Sequence, residues 1–142
     1  MTEVRRLLGA RSRAFEDLRI SWESGKLTVS LPYGRRHFVR YRVVGEHIVL
    51  RTTIATRRQL EKLAAAQPQP YASFRARLCD DILVQNQHTE SLCFRLTERD
   101  RLEAVATARL STLLDDDVLY YAATLARESD RFESFLTDHD RW

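Results

Sequence analysis

Lysine is almost missing from this sequence: of 23 basic residues only Lys26 and Lys62 are lysines, and the rest are arginine. A bias of this kind runs through the whole chain, so arginine by itself is a poor sign of a nucleic-acid site. Cysteine is scarce too, with two residues in 142, which excludes a disulfide scaffold. Both are expected as reduced thiols in a cytoplasmic protein. The four glycines, Gly9, Gly25, Gly34 and Gly45, stand alone, so no phosphate-cradling glycine loop exists. Neither G-x-S-x-G nor H-E-x-x-H occurs. No apolar run approaches the ~20 residues of a membrane span, so no membrane partner is expected. The opening MTEVRRLLGARSRAF sets arginines on both sides of a very short apolar stretch and lacks a small-residue cleavage site. That pattern predicts no secretory leader.

What is present is the make-up of one folded domain over residues 1–142, with 44% hydrophobic and 30% charged residues. The net charge is +3, and 20 acidic residues are spread along the chain, leaving no strongly single-signed field.

Hydrophobic spacing divides the chain into elements. Thr2 to about Asp17 carries Val4, Leu7, Leu8 and Phe15 at helical spacing. "KLTVSLP", "HFVRYRVV" and "HIVLRTTI" alternate as strands, joined by the turn residues Pro32-Tyr33-Gly34 and Gly45-Glu46. An additional strand at "LRISW" fits the same pattern. Thr56 can cap a helix through "RRQLEKLAAA", which Pro68 and Pro70 end. Tyr71 to Gln85 restarts helical spacing through Phe74, Leu78, Ile82 and Leu83. "SLCFRL" and "LEAVATARL" alternate again around the turn Glu98-Arg99-Asp100-Arg101. Ala104, Ala106 and Ala108 share a face there, against which a helix can pack closely. The last helix runs from about Asp115 to Thr137, with an apolar stripe through Val118, Tyr121, Leu125 and Phe132. The predicted fold is α+β, an antiparallel sheet of about five strands with helices packed on one side, in the order α-βββ-αα-ββ-α.

Candidate chemistry is thin. "CDDILVQNQHTESLCF" gathers two cysteines, two aspartates and a histidine, but Cys79-x8-His88-x4-Cys93 matches no zinc-ligand spacing. Helix phase and strand alternation also scatter these side chains: Cys79 near the apolar stripe, Asp80 and Asp81 on the outer helix face, His88 in a turn. The acidic runs at 115–117 and 138–140 are those of solvated faces or helix caps. No catalytic, cofactor or metal residue is assigned.

"YGRRHFVRYRV" carries more. Arg35, Arg36, Arg40 and Arg42 interleave with Tyr33, Phe38 and Tyr41, and strand alternation sets Phe38, Arg40 and Arg42 on one face. Such a face can stack bases and track phosphates. The plainer reading keeps Val39, Tyr41 and Val43 in the core and the arginines in water, and the modest net charge favours it. An outward Phe38 flanked by arginines also has the composition of a protein interface centre. The last helix carries Tyr120, Tyr121, Phe132 and Phe135 on more than one side. A wide core stripe and a second face for a dimer or partner both account for that.

The order of "LRTTI", "LCDDILVQNQ" running into Asn86, the hairpin "SLCFRLTERDRLEAVATARLS" and "DVLYYAATLARESDRFESFLT" resembles the YbjN family. Its fold is that of the type III secretion chaperones of the CesT/Tir kind. The likeness is one of pattern over roughly residues 25–137. It implies a compact α+β protein that dimerises and binds other proteins without enzymatic activity, as a regulator or as a chaperone holding client segments along its surfaces. The secretion chaperones are generally acidic, whereas this chain is basic. The expectation is a non-enzymatic, cytoplasmic, homodimeric protein-binding module that contacts a client or regulatory protein through Phe38, Arg40, Arg42, Tyr120 and Tyr121. The alternative is a nucleic-acid-associated protein using the Arg-rich strand 35–42.

Overall fold

The computed structural model describes residues 19–137, apart from Ser24 and Asp115. The helix expected over Thr2–Asp17 and the acidic run at 138–140 lie outside the described residues. Within them the chain forms β1 (Arg19–Glu23), β2 (Lys26–Ser30), β3 (Arg36–Val44) and β4 (His47–Ala55). Two helices follow, α1 (Arg57–Ala66) and α2 (Tyr71–Asn86), then β5 (Cys93–Leu96), β6 (Leu102–Arg109) and the long α3 (Asp117–Thr137). All pairings are antiparallel, in the order β1-β2-β3-β4-β6-β5. The sheet therefore has six strands against the expected five or so, the sixth being the "LRISW" stretch.

Local chemistry sets the corners. β3 turns into β4 through Gly45-Glu46, with Val44 opposite His47. Gly45 has φ +58°, the left-handed conformation that a two-residue hairpin loop requires and that glycine adopts without steric cost. Thr56 starts α1 with a reciprocal cap: its hydroxyl accepts from the Gln59 N–H, and the Gln59 side chain accepts from the Thr56 N–H at 2.8 Å. A register shift between Thr53 and Ala55 lets both Ile54 and Ala55 turn inward at the end of β4.

Among the described residues one sheet face is covered by helices and the other is open. Leu27, Val29, Val39, Tyr41, Ile48, Leu50, Ala104 and Ala106 face inward and are buried against the helices. α3 lies across β2, β3, β4 and β6. It meets the small side chains of β6 with its own buried Ala122, Ala126 and Ser129, so backbone and sheet approach closely, as the alanine stripe of β6 predicts. Phe94 of β5 packs on Phe132 of α3 with ring centroids 4.9 Å apart.

The α2–β5 junction depends on one side chain. The Phe94 N–H donates to Asn86 Oδ1 at 2.7 Å, and Asn86 Nδ2 donates to the Phe94 carbonyl at 2.9 Å. Alternation along the β5–β6 ladder directs these two backbone groups away from β6, toward the sheet edge. Asn86 thus acts as a one-residue strand and closes an edge that would otherwise be open to pairing.

Candidate partner-binding face on the open side of the sheet

Because antiparallel partners share a face, the register reads out which side chains lie together on the open side. Lys26 stands opposite Arg40, and Arg40 opposite Arg51. Arg51 stands opposite Val105, and Val105 opposite Cys93. Three cations are therefore directly adjacent on β2, β3 and β4, an arrangement that weakens a sheet. Arg40, Arg42 and Arg51 form no ion pair or hydrogen bond among the described residues. Beside them Phe38 is 50% exposed, and Lys26 Nζ sits 4.8 Å from its ring centroid.

Three concavities with shared lining residues border this face, one of them reaching round to Glu133 of α3. One of about 520 Å³ reaches the β5–β6 turn, a second of about 520 Å³ lies beside Arg36 and Phe38, and a third of about 270 Å³ lies between Gly25 and Arg42. Arg51 lines all three. Together they expose seven arginines (Arg36, Arg40, Arg42, Arg51, Arg95, Arg99 and Arg101) against three glutamates (Glu98, Glu103 and Glu133). The central glutamate, Glu103, is only 3% exposed and accepts from Arg95 Nε at 2.6 Å, so its charge is already neutralised. The face is a cationic groove with an aromatic at one end.

The structure splits the expected contact residues. Phe38, Arg40 and Arg42 share the open face, as alternation predicts. Tyr120 and Tyr121 lie on α3, across the sheet from them. Tyr120 is 48% exposed, but Tyr121 packs against the core, with the two rings 5.8 Å apart. Tyr120 therefore lies on the exposed side of α3, whereas Tyr121 is partly buried at the edge of the core stripe. Arg51 and Arg95 were not singled out from the sequence. Strand alternation turns both outward, but only the sheet order brings β4 and β5 within reach of Arg40.

The cysteine–histidine cluster disperses. Cys79 is half-buried on α2, Cys93 is exposed on β5, His88 is exposed, and both thiols are free. Asp80 is exposed, whereas Asp81 is half-buried, and burial first, with Asp80 adding and Arg77 opposing, pushes its carboxyl up.

Two polar constellations assemble that distance along the chain conceals. His37 Nε2 and carboxylate oxygens of Asp130 and Glu133 lie within 4.8 Å of one another, with His37 on β3 and the acids one turn apart on α3. Arg35 Nη1 already donates to Asp130 Oδ1 at 2.7 Å, and His37 Nε2 lies 3.3 Å from the same oxygen. The acid that would be the central ligand is thereby claimed by a guanidinium, and the cluster ties β3 to α3. At the β5–β6 turn, Asp100 has φ +55° and is buried. It accepts from Tyr71 Oη at 2.8 Å and from Arg75 Nε at 3.1 Å. Burial pushes the Asp100 carboxyl up, but Tyr71, Arg75 and the more distant Arg57 outweigh it and hold the group below its ordinary value. Burial first, then the bond to Asp100, pushes the Tyr71 hydroxyl up to about 12. The carboxylate is ionised and satisfied at neutral pH, pinning the hairpin turn to the first turn of α2.

No protein-family model matches the chain, and no curated protein matches its sequence. Among the described residues no helix is long and apolar enough to cross a membrane.

Proposed function

We propose that this chain is a non-enzymatic protein-binding module, a regulator or chaperone whose open sheet face takes an acidic segment of a client or regulatory protein. The observation that carries this reading is the row Lys26–Arg40–Arg51, directly opposed on three strands with Arg40 and Arg51 uncompensated among the described residues. Folding gains nothing from that row, and an anionic partner relieves it. Phe38 supplies an apolar anchor, and the aromatic–arginine mixture is that of an interface centre. The resemblance to the YbjN and secretion-chaperone families points to the same class and adds homodimerisation and a cytoplasmic setting. A basic face suits a client of opposite charge to those the acidic chaperones hold.

A single-stranded nucleic acid is the competing ligand for such a face. Among the described residues that line the groove, Phe38 is the one exposed aromatic, since Tyr41 and His37 are buried, and Lys26 already sits against its ring, which leaves little for successive bases to stack on. Fluorescence anisotropy with a labelled glutamate- and aspartate-rich peptide and with a labelled oligonucleotide separates the two. The peptide is expected to bind, to weaken at least about tenfold with Arg51→Glu, and to weaken with salt. Binding of the oligonucleotide alone, with a steep salt slope, transfers the face to nucleic acid. No binding of either ends the proposal.

A further inference from the structure

We infer that Arg40, Arg42, Arg51 and Arg95 form a phosphoryl-binding subsite within the groove, so that the acidic segment it takes carries a phosphorylated side chain. The inference rests on the reading of the open face as a site for an acidic protein segment. These four arginines line the concavity of about 270 Å³ together with Gly25, Tyr41 and Val49, and among the described residues no carboxylate lines it. Arg40 and Arg42 are two residues apart on β3, and Arg51 faces Arg40 from β4, so three guanidiniums are anchored on paired strands rather than on a loop. All three lack a partner among the described residues, while Arg95 reaches the same space with Glu103 holding it from the other side.

Stoichiometry of charge and donors selects the ligand. A carboxylate is satisfied by one guanidinium fork, and placing one here leaves two of the three arginines still uncompensated. A phosphoryl group brings close to two negative charges and three acceptor oxygens, enough to engage all three free guanidiniums at once. Arginine clusters of this kind are a recurring means of reading phosphorylated segments. The flanking groove, with Arg36, Arg101 and Phe38, then takes the acidic and apolar neighbours of the modified residue.

The test is fluorescence anisotropy of the full chain with a short acidic peptide carrying one central phosphoserine, compared at fixed ionic strength with the same peptide carrying unmodified serine. The phosphorylated form is expected to bind at least about tenfold more tightly, a preference that charge-assisted bonds readily supply. Arg42→Gln is expected to bring the ratio of the two affinities close to one, with an unchanged urea midpoint showing that the fold is intact. Equal affinities in the unaltered protein overturn the subsite while leaving the acidic-segment reading in place, and so does a ratio that survives Arg42→Gln. Failure of both peptides to bind overturns both, and binding of a phosphate-rich oligonucleotide in their stead assigns the arginines to a nucleic-acid backbone.

Discussion

Replacing Asn86 with alanine isolates the contribution of one side chain to the edge of the sheet. Asn86 makes two hydrogen bonds, of 2.7 and 2.9 Å, to the backbone of Phe94, whose own side chain is 2% exposed and packs on Phe132. Alanine removes both partners and leaves a backbone donor and acceptor beside the core. At about 0.5–1.5 kcal/mol net per bond, the expected loss is about 1–3 kcal/mol, a sizeable share of the stability of a domain of this size. Because Asn86 is itself half-buried, water can replace part of what is lost, which places the value toward the lower half. Urea unfolding is expected to show a lower midpoint with an unchanged slope, since native burial is otherwise preserved. Hydrogen exchange is expected to quicken most at the Phe94 amide, beyond the amount that the global loss explains. Asn86→Asp keeps the acceptor facing the Phe94 N–H but sets a carboxylate oxygen against the Phe94 carbonyl. It is expected to be at least as destabilising at neutral pH and to recover as pH falls and the carboxyl protonates. A loss below about 0.5 kcal/mol for the alanine variant, at the level of an ordinary surface substitution, would refute the reasoning.

Other expectations follow from the same geometry. Arg40→Thr removes both directly opposed like-charge contacts, with Lys26 and with Arg51. It is expected to raise stability by a few tenths to about 1 kcal/mol at low salt while weakening acidic-peptide binding, and a loss in the urea midpoint would contradict the cost assigned to the row. The Tyr71–Asp100 tie gives stability a sign at each end of the pH scale. The lowered Asp100 carboxyl contributes stability that is present above its unfolded value and lost as pH falls through the folded one. The raised Tyr71 hydroxyl contributes stability that is intact at neutral pH and declines between the ordinary value of 10.0 and about 12. Tyr71→Phe is expected to cost about 1–2 kcal/mol and to abolish the alkaline decline, and thermal melts across pH would show whether that limb survives. Ala104→Leu forces a larger side chain into the closely packed core between β6 and α3 and is expected to cost about 1–3 kcal/mol by urea unfolding. Light scattering tests the proposed homodimer: twice the chain mass of 16.6 kDa supports it and a mass near one chain excludes it.

Much of the fold was legible in the residues themselves, because the signals involved are local. Period-2 alternation located β2 through β6 and told which side chains point outward on β3, since a strand leaves no other choice. Helical spacing bounded α2 and α3 to within a residue or two, and Thr56 as a cap supplied the start of α1, to which the structure added the reciprocal bond from Gln59. The triple alanine of β6 announced a helix at close range. The outward position of Phe38, Arg40 and Arg42 was likewise a property of one strand. What required the tertiary structure was everything that depends on which strand lies beside which. The sequence cannot say that β6 inserts between β4 and β5, because that order follows from how the whole sheet covers α3. Hence Arg51 and Arg95 joined the groove only on folding, and the pairs Arg35–Asp130 and Tyr71–Asp100, 95 and 29 residues apart, could not be anticipated. Tyr121 came to lie half-buried against the core for the same reason: an apolar stripe gives its width, but only the packed sheet decides which edge of it is covered.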